Sequence, residues 1–242
     1  MERPLHIMHI LPSVLAGNSK HTSRQRKRRI MIEQGTPEWH ALRCGKVTAS
    51  RVADIMRKTK TGVSAMRERY MGELIAERLT GVQAESFKSA DMQWGNDTEA
   101  QAREAYAFYY RAELTEVAFV DHPTIKMTGA SPDRLVGSDG LLEIKCPATH
   151  SHIATLLGAP IDPDYMKQIA WQMACTGRQW CDFVSYDPRM PEALRMHRER
   201  VERSDTAIYL IADAVKSFLA ELDEKEAELR ALAGEALSAA AE

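Results

Sequence analysis

Three residues stand at a spacing that could do chemistry. Asp133, in Ser131-Pro132-Asp133, is followed after nine residues by Glu143-Ile144-Lys145. On an extended strand side chains alternate between faces, so Glu143 and Lys145 share one side while Ile144 turns to the core. The intervening Gly137-Ser-Asp-Gly140 is rich in turn formers; it predicts an antiparallel hairpin that brings Asp133 opposite the pair. Carboxylate oxygens gathered in this way suit a hard cation, Mg²⁺ or Mn²⁺, which keeps positions open for water and a phosphate oxygen. The neighbouring ammonium would orient or help deprotonate the attacking water and offset charge on a phosphorane-like transition state. That chemistry is phosphodiester hydrolysis. The competing reading is an ordinary Glu-x-Lys strand on a solvated sheet face. Leu141, Leu142 and Ile144 argue against it by marking an apolar, central strand, and Glu99 and Gln168 lie on flanking segments that could aim at the same cleft.

Such a cleft needs a sheet with helices beside it, and the order of patterns along the chain supplies one. Helical signals begin at Thr36-Pro37-Glu38-Trp39, and Thr48-Ala-Ser50 reads as the cap of a helix through Val52, Ile55 and Met56. Lys58 to Gly62 is predicted to be a flexible polar loop. A helix is predicted over 64–80, with Tyr70, Leu74, Ile75 and Leu79 on one face and Gly81 as its stop. Another runs from Trp94 to about Tyr110, with Ala100, Ala105, Tyr106 and Tyr109 turned inward. Strands are predicted at 113–120, at 125–136 with a break around Ser131-Pro132, and at 140–146. A helix over 163–175, ended by Gly177, precedes strands at 179–186 and 193–201. In the closing helix Ile208, Ile211, Val215, Phe218 and Leu222 recur at steps of 3 and 4, and the Ala/Glu-rich end is predicted to fray. The fold class is therefore α/β, a mixed central sheet flanked by helices. No internal repeat and no GxxxxGK or GxGxxG loop is present.

With 13 Gly and 10 Pro in 242 residues and no apolar run of membrane-spanning length, collagen-like and membrane classes are excluded. The formal net charge of -2 argues at first against a nucleic-acid partner, but it averages two unlike parts. Residues 1–30 hold seven basic residues and one acid, ending in Arg24-Gln-Arg-Lys-Arg-Arg29, so the charge excess lies in that segment. It reads as a basic, disordered tail, as a phosphate-binding arm, or as an over-extended start, since Met31 precedes the first patterned segment. Residues 31–242 read as a single domain with a long terminal helix. Cys44, Cys146, Cys175 and Cys181 form no CxxC pair, which predicts reduced thiols rather than a zinc or iron–sulfur site. His150 and His152 read as an exposed loop pair.

The residues carry a resemblance. Pro132-Asp133 with Glu143-Ile144-Lys145 resembles the PD-(D/E)XK nuclease signature, and its surroundings resemble the phage lambda exonuclease family, the YqaJ-type viral recombination nucleases. The resembling segments are Glu33-Gln-Gly, Trp39 to Arg43, Thr48-Ala-Ser50, Trp94-Gly95 with Glu99, Ser131-Pro-Asp133, Glu143-Ile-Lys-Cys-Pro147, Tyr165-Met-x-Gln168 and Tyr186-Asp-Pro-Arg-Met190. They run in order from about Ile32 to the start of the final helix.

The resemblance implies a restriction-endonuclease-like PD-(D/E)XK core. It implies that Asp133, Glu143 and the carbonyl of Ile144 bind metal, that Lys145 is the catalytic lysine, that Glu99 completes the acidic cluster and that Gln168 supports the site. Arg43, Ser50, Lys60 and Ser131 resemble residues holding a DNA 5′-phosphate, although Lys60 stands where the family shows Arg, a point charge in place of a fork. Met92 falls where a wedge between terminal bases is expected, and a packing methionine is the alternative. His150-Ser151-His152 departs from the family where another arginine contact is expected. The implied activity is that of a Mg²⁺-dependent, processive 5′-to-3′ exonuclease on linear double-stranded DNA, with Mn²⁺ as a substitute metal. It would release 5′-mononucleotides and leave 3′ overhangs. A homotrimer, a phage single-strand annealing protein as partner, and the cytoplasm of a bacterial host complete the expectation. The alternatives are a RecB-like or Cas4-like nuclease and a non-catalytic DNA-end-binding module. Relatives of the first kind often carry Gln-xxx-Tyr where this chain has Gln168-xxx-Gln172, and Cas4 types need a cysteine cluster that is missing.

Overall fold

A computed structural model describes residues 32–60, 62–84 and 89–239; the readings made for residues 1–30 lie outside the described residues. Pro37 opens α1 (Pro37–Arg43), whose cap Thr36 accepts a hydrogen bond from the Trp39 N–H. Proline suits a first helical position because its missing N–H would have no partner there. Thr48 closes β1 (Val47–Thr48) and is the N-cap residue, without a side-chain cap hydrogen bond, of a 3₁₀ turn (Ala49–Arg51) that leads into α2 (Val52–Met56). The polar loop is more ordered than expected, since β2 (Lys58–Thr59) and β3 (Gly62–Val63) pair as a small antiparallel hairpin.

Ser64 caps α3 (Ala65–Thr80), and Gly81 ends it at φ 71°, a left-handed conformation that glycine adopts without the Cβ penalty. Tyr70, Leu74 and Ile75 are buried as predicted, whereas Leu79 is 40% exposed. Helix α4 (Ala90–Tyr110) begins four residues before Trp94, because Ser89 accepts from the Met92 N–H and sets an earlier start. Its buried side chains are Thr98, Ala102 and Tyr106, spaced by four; Ala105 is partly buried, and Ala100 and Tyr109 are exposed rather than inward.

The main sheet has the order β10-β9-β8-β7-β4, with β4 (Leu114–Thr115), β7 (Arg134–Val136), β8 (Gly140–Lys145), β9 (Trp180–Tyr186) and β10 (Met196–Glu202). Only β8 and β9 pair in parallel within it. Their connection runs through α5 (Thr149–Leu156) and α6 (Pro163–Thr176). A second sheet, β1-β6-β5, is made with β5 (Val120–Asp121) and β6 (Thr128–Ala130). The predicted strands 113–120 and 125–136 are thus each divided between two sheets. Gly140 sits opposite Trp180, and a Cβ there would lie 2.2 Å from the indole.

Strand β8 is central and covered on both faces. Leu142, Ile144 and Cys146 pack with Ala102 and Tyr106 of α4, while Leu141 packs with Ile169 and Met173 of α6. By alternation Glu143 and Lys145 belong to the α6 face. A third cluster joins α2, α3, α6 and α7 (Asp205–Ala239) through Ile55, Leu74, Trp171, Val215, Phe218 and Leu222. Helix α7 continues to Ala239, in keeping with the high helix propensity of Ala, Leu and Glu.

Candidate active site

The pairing of Arg134 with Leu142 sets the hairpin register and carries Asp133 to the level of Glu143. The Ile144 N–H donates to Asp133 Oδ2 at 2.6 Å. The approach to Asp133 is fixed from outside the sheet: Gln34 Nε2 donates to the carbonyls of Pro132 and Val117, each at 2.9 Å. Ser131 Oγ donates to the Ala118 carbonyl at 2.6 Å and accepts from the Trp39 indole at 3.0 Å. Its one hydroxyl proton is thereby used within the protein, and its direct role here is to tie the loop together.

Glu143 is 1% exposed, and both of its oxygens receive donors. Oε1 accepts from Lys145 Nζ and from Gln168 Nε2, both at 2.6 Å, and Oε2 accepts from Gln172 Nε2 at 2.7 Å. Gln168 and Gln172 are four residues apart on α6 and so share a helix face. Lys145 Nζ also lies over the Tyr165 ring, 4.6 Å from its centroid. Buried Gln172 Oε1 has no hydrogen-bond partner, an omission that typically costs about 1–3 kcal/mol.

The electrostatics mark Asp133, Glu143 and Glu99 as neighbours. Burial raises the Asp133 pKa well above the usual carboxylate range, and Glu143 and Glu99 raise it further. Burial likewise raises Glu99 against the opposing pull of Arg103 and Arg134. For Lys145 burial disfavours the charge, but Glu143 and Asp133 outweigh it and keep the ammonium protonated. Carboxylates that raise one another's proton affinity are those a divalent cation would relieve, and Asp133, Glu143, Glu99 and the Ile144 carbonyl offer the hard oxygens that Mg²⁺ or Mn²⁺ takes. Among the described residues no three His, Cys, Asp or Glu are already gathered as a metal site; both Glu143 oxygens are turned to Lys145, Gln168 and Gln172.

A second group surrounds Arg43. Its guanidinium lies 3.9 Å from the Trp39 ring centroid, and its buried Nε has no hydrogen-bond partner. Burial lowers its pKa to about 10 against the opposing effect of Tyr70 and Glu77. Tyr70 also reaches the Thr48 N–H, whose donation to the phenol is 3.1 Å, and Thr48 Oγ1 lies 3.4 Å from Ser50 Oγ. Lys60 is exposed at the tip of the β2–β3 hairpin. Met92, on the first turn of α4, is 52% exposed and is therefore not a packing methionine. His150 is exposed but His152 is not part of an exposed pair: it is fully buried on α5, with Nδ1 2.8 Å from Ser185 Oγ and Nε2 2.8 Å from the Leu194 carbonyl.

A profile of the YqaJ-like viral recombinase domain matches residues 38–179, more than half of the chain. The chain belongs to this family. The alkaline exonuclease LHK-Exo from Laribacter hongkongensis is 50% identical, with 83% of this chain and 99% of that one covered and a TM-score of 0.77. The same values hold for LHK-Exo solved in complex with dAMP. A phage related exonuclease from Haemophilus somnus shares the fold at 17% identity and a TM-score of 0.59, over 78% of this chain and 99% of that one. No curated protein sequence matches. The fold is thus the mixed α/β architecture of the alkaline exonucleases, as the PD-(D/E)XK resemblance implies.

The segment Tyr186-Asp-Pro-Arg-Met190, which lies beyond the residues matched by the family profile, forms a local lock. Buried Asp187 accepts from Arg189 N, Nε and Nη2 at 3.0, 2.7 and 2.9 Å and from Thr149 Oγ1 at 2.7 Å, while Arg189 lies over Trp94. Sequence reasoning missed the contacts of Gln172, Tyr165 and Trp39. The i, i+4 spacing of Gln168 with Gln172, and of Trp39 with Arg43 on α1, was a usable signal for two of these; nothing in the sequence pointed to Tyr165 as a partner of Lys145.

Proposed function

We infer that this chain is a nuclease, and propose that it is a Mg²⁺-dependent, processive 5′-to-3′ exonuclease acting on linear double-stranded DNA. The observation that carries the reading is the convergence of Asp133, just before β7, with Glu143 and Lys145 on β8. The exonuclease at 50% identity, solved also with dAMP, a deoxynucleoside monophosphate, supports the reaction class and the mononucleotide product.

Asp133, Glu143, Glu99 and the Ile144 carbonyl would hold Mg²⁺, with Mn²⁺ as a substitute. When bound, the metal would supply Lewis-acid activation of water and of a phosphate oxygen. Lys145, held protonated beside Glu143, offsets charge that develops on the scissile phosphate and orients the attacking water. Gln168 holds Glu143 from α6. Arg43, with an unpartnered buried Nε, receives the terminal 5′-phosphate, with Ser50 and Lys60 beside it, and Ser131 contributes by fixing the loop. Anchoring that phosphate places the next phosphodiester at the acidic cluster, which gives the direction of digestion. Met92 serves as the wedge at the duplex end. The 3′ overhangs left behind would be taken up by a phage single-strand annealing protein, and a homotrimer enclosing the duplex would account for processivity. Such an enzyme would work in the cytoplasm of a bacterial host.

The test is digestion of end-labelled linear duplex with Mg²⁺, scored for mononucleotide release from 5′ and 3′ ends beside circular DNA. Release from 5′ ends alone, with circular DNA untouched, is the expected result. Equal attack on circular DNA, or release from 3′ ends, would overturn the reading.

A further inference from the structure

We propose that Gln172 is a positioning residue for metal binding: it holds Glu143 Oε2 from the buried side so that Oε1 can exchange its protein donors for a divalent cation. The inference rests on the nuclease reading above and extends it to a residue that does not itself touch metal or substrate.

The division of labour follows from the contacts. Glu143 Oε1 is shared by Lys145 and by Gln168, both only partly buried, whereas Oε2 has one donor, Gln172, which is 0% exposed. The two oxygens therefore differ: one meets two partly buried side chains, the other a single fully buried one. The Gln172 amide donates through Nε2 to Glu143 Oε2 at 2.7 Å, while the other carboxylate oxygen accepts from Lys145 and Gln168. That orientation leaves Gln172 Oε1 buried without a partner. An isosteric apolar residue would avoid that penalty but would leave buried Glu143 Oε2 without its donor. The donated hydrogen bond to Glu143 is the contact that accounts for a glutamine here. Orienting partners of this kind typically change metal affinity by about 10–100-fold when removed.

Gln172→Met keeps side-chain length and removes both the donor and the orphaned carbonyl. Mn²⁺ binding to the full chain, followed by the free-ion electron paramagnetic resonance signal without DNA, is expected to weaken by about tenfold or more. Thermal unfolding of the metal-free variant is expected at or below the wild-type temperature, because the loss of the donor to buried Glu143 Oε2 opposes the gain from removing the orphaned carbonyl. In DNA digestion the Mg²⁺ concentration for half-maximal rate should rise, with kcat at saturating Mg²⁺ and KM for DNA little changed. Gln172→Leu provides a second donor-free side chain should Met pack poorly. Wild-type Mn²⁺ affinity and an unchanged Mg²⁺ requirement in a folded variant would overturn the proposal while leaving the nuclease reading in place. Conversely, a wild-type chain that binds Mn²⁺ with the Gln172 dependence but digests no DNA would sink the nuclease reading and leave this one standing.

Discussion

Asp133 Oδ2 accepts the Ile144 N–H at 2.6 Å, so one carboxylate reaches across to the strand that bears Glu143. Asp133 is in this way a cross-link of the hairpin as well as an acid. Its negative charge is nevertheless opposed by burial and by Glu143 and Glu99. A site of this kind stores repulsion in the metal-free protein that a cation would discharge.

Neutralising Asp133 should separate stability from activity. Asp133→Asn keeps an acceptor for Ile144 and removes the repulsion, so metal-free thermal unfolding is expected to occur at a higher temperature than in wild type. Mg²⁺-dependent digestion should fall by about a thousandfold or more, and Lys145→Ala should lose activity to a similar extent. A variant digesting linear duplex at the wild-type rate would refute the assigned roles.

Arg43 should govern recognition of the strand end. Wild type is expected to digest 5′-phosphorylated duplex at least tenfold faster than 5′-hydroxyl duplex, since a charge-assisted contact contributes about 1.5–3 kcal/mol. Arg43→Ala should bring the two rates together. An unchanged rate ratio would remove Arg43 from the phosphate pocket.

Tyr106 secures α4, the helix that carries Glu99, by donating to Asp182 Oδ2 at 2.7 Å in the core. Arg198 and Arg200 pair with the same carboxylate. Tyr106→Phe leaves the ring in place and deletes the donor, so chemical denaturation should show a loss of about 1–2 kcal/mol. Retention of full stability would mean that the two arginines alone satisfy Asp182.

Asp187 should make stability sensitive to acid. Burial pushes its pKa up, but hydrogen bonds from Arg189 and Thr149 prevail and bring it down to about 2, from an ordinary value of 3.8. A depressed acid contributes stability that is complete above the ordinary value and is lost as pH falls from about 4 towards about 2. Asp187→Asn is therefore expected to cost about 1–3 kcal/mol at pH 7 and progressively less below pH 4. Urea unfolding at pH 7, 4 and 3 would show whether the gap narrows. A constant gap would contradict the lock.

The hairpin, α6 and α7 were legible because each carries its own signal: turn formers between apolar runs, a glycine stop, and apolar steps of 3 and 4. Helix α5 was not, because Ala148 caps it without a side-chain hydrogen bond and its buried residue is His152 rather than an apolar one. The predicted strand 113–120 breaks where the carbonyls of Val117 and Ala118 are taken by Gln34, Trp39 and Ser131 instead of a neighbouring strand. Local pattern cannot report that kind of long-range competition. For the site, the motif residues reveal the acids and the lysine, while Gln172 reads as one polar residue in an otherwise apolar helical run. Its meaning depends on the carboxylate that the sheet places against it.

The parallel pairing of β8 with β9 also has a kinetic consequence. Gly140 meets Trp180 only after the chain has passed through α5 and α6, and closing so long a loop delays that pairing relative to the local β7–β8 hairpin. Asp133 and Glu143 are thus joined by a local hairpin whose closure costs less chain entropy than the crossover. The amides of α6 that hold Glu143 come only with the crossover, whereas Lys145 is carried by the same strand as Glu143 and is beside it from the start.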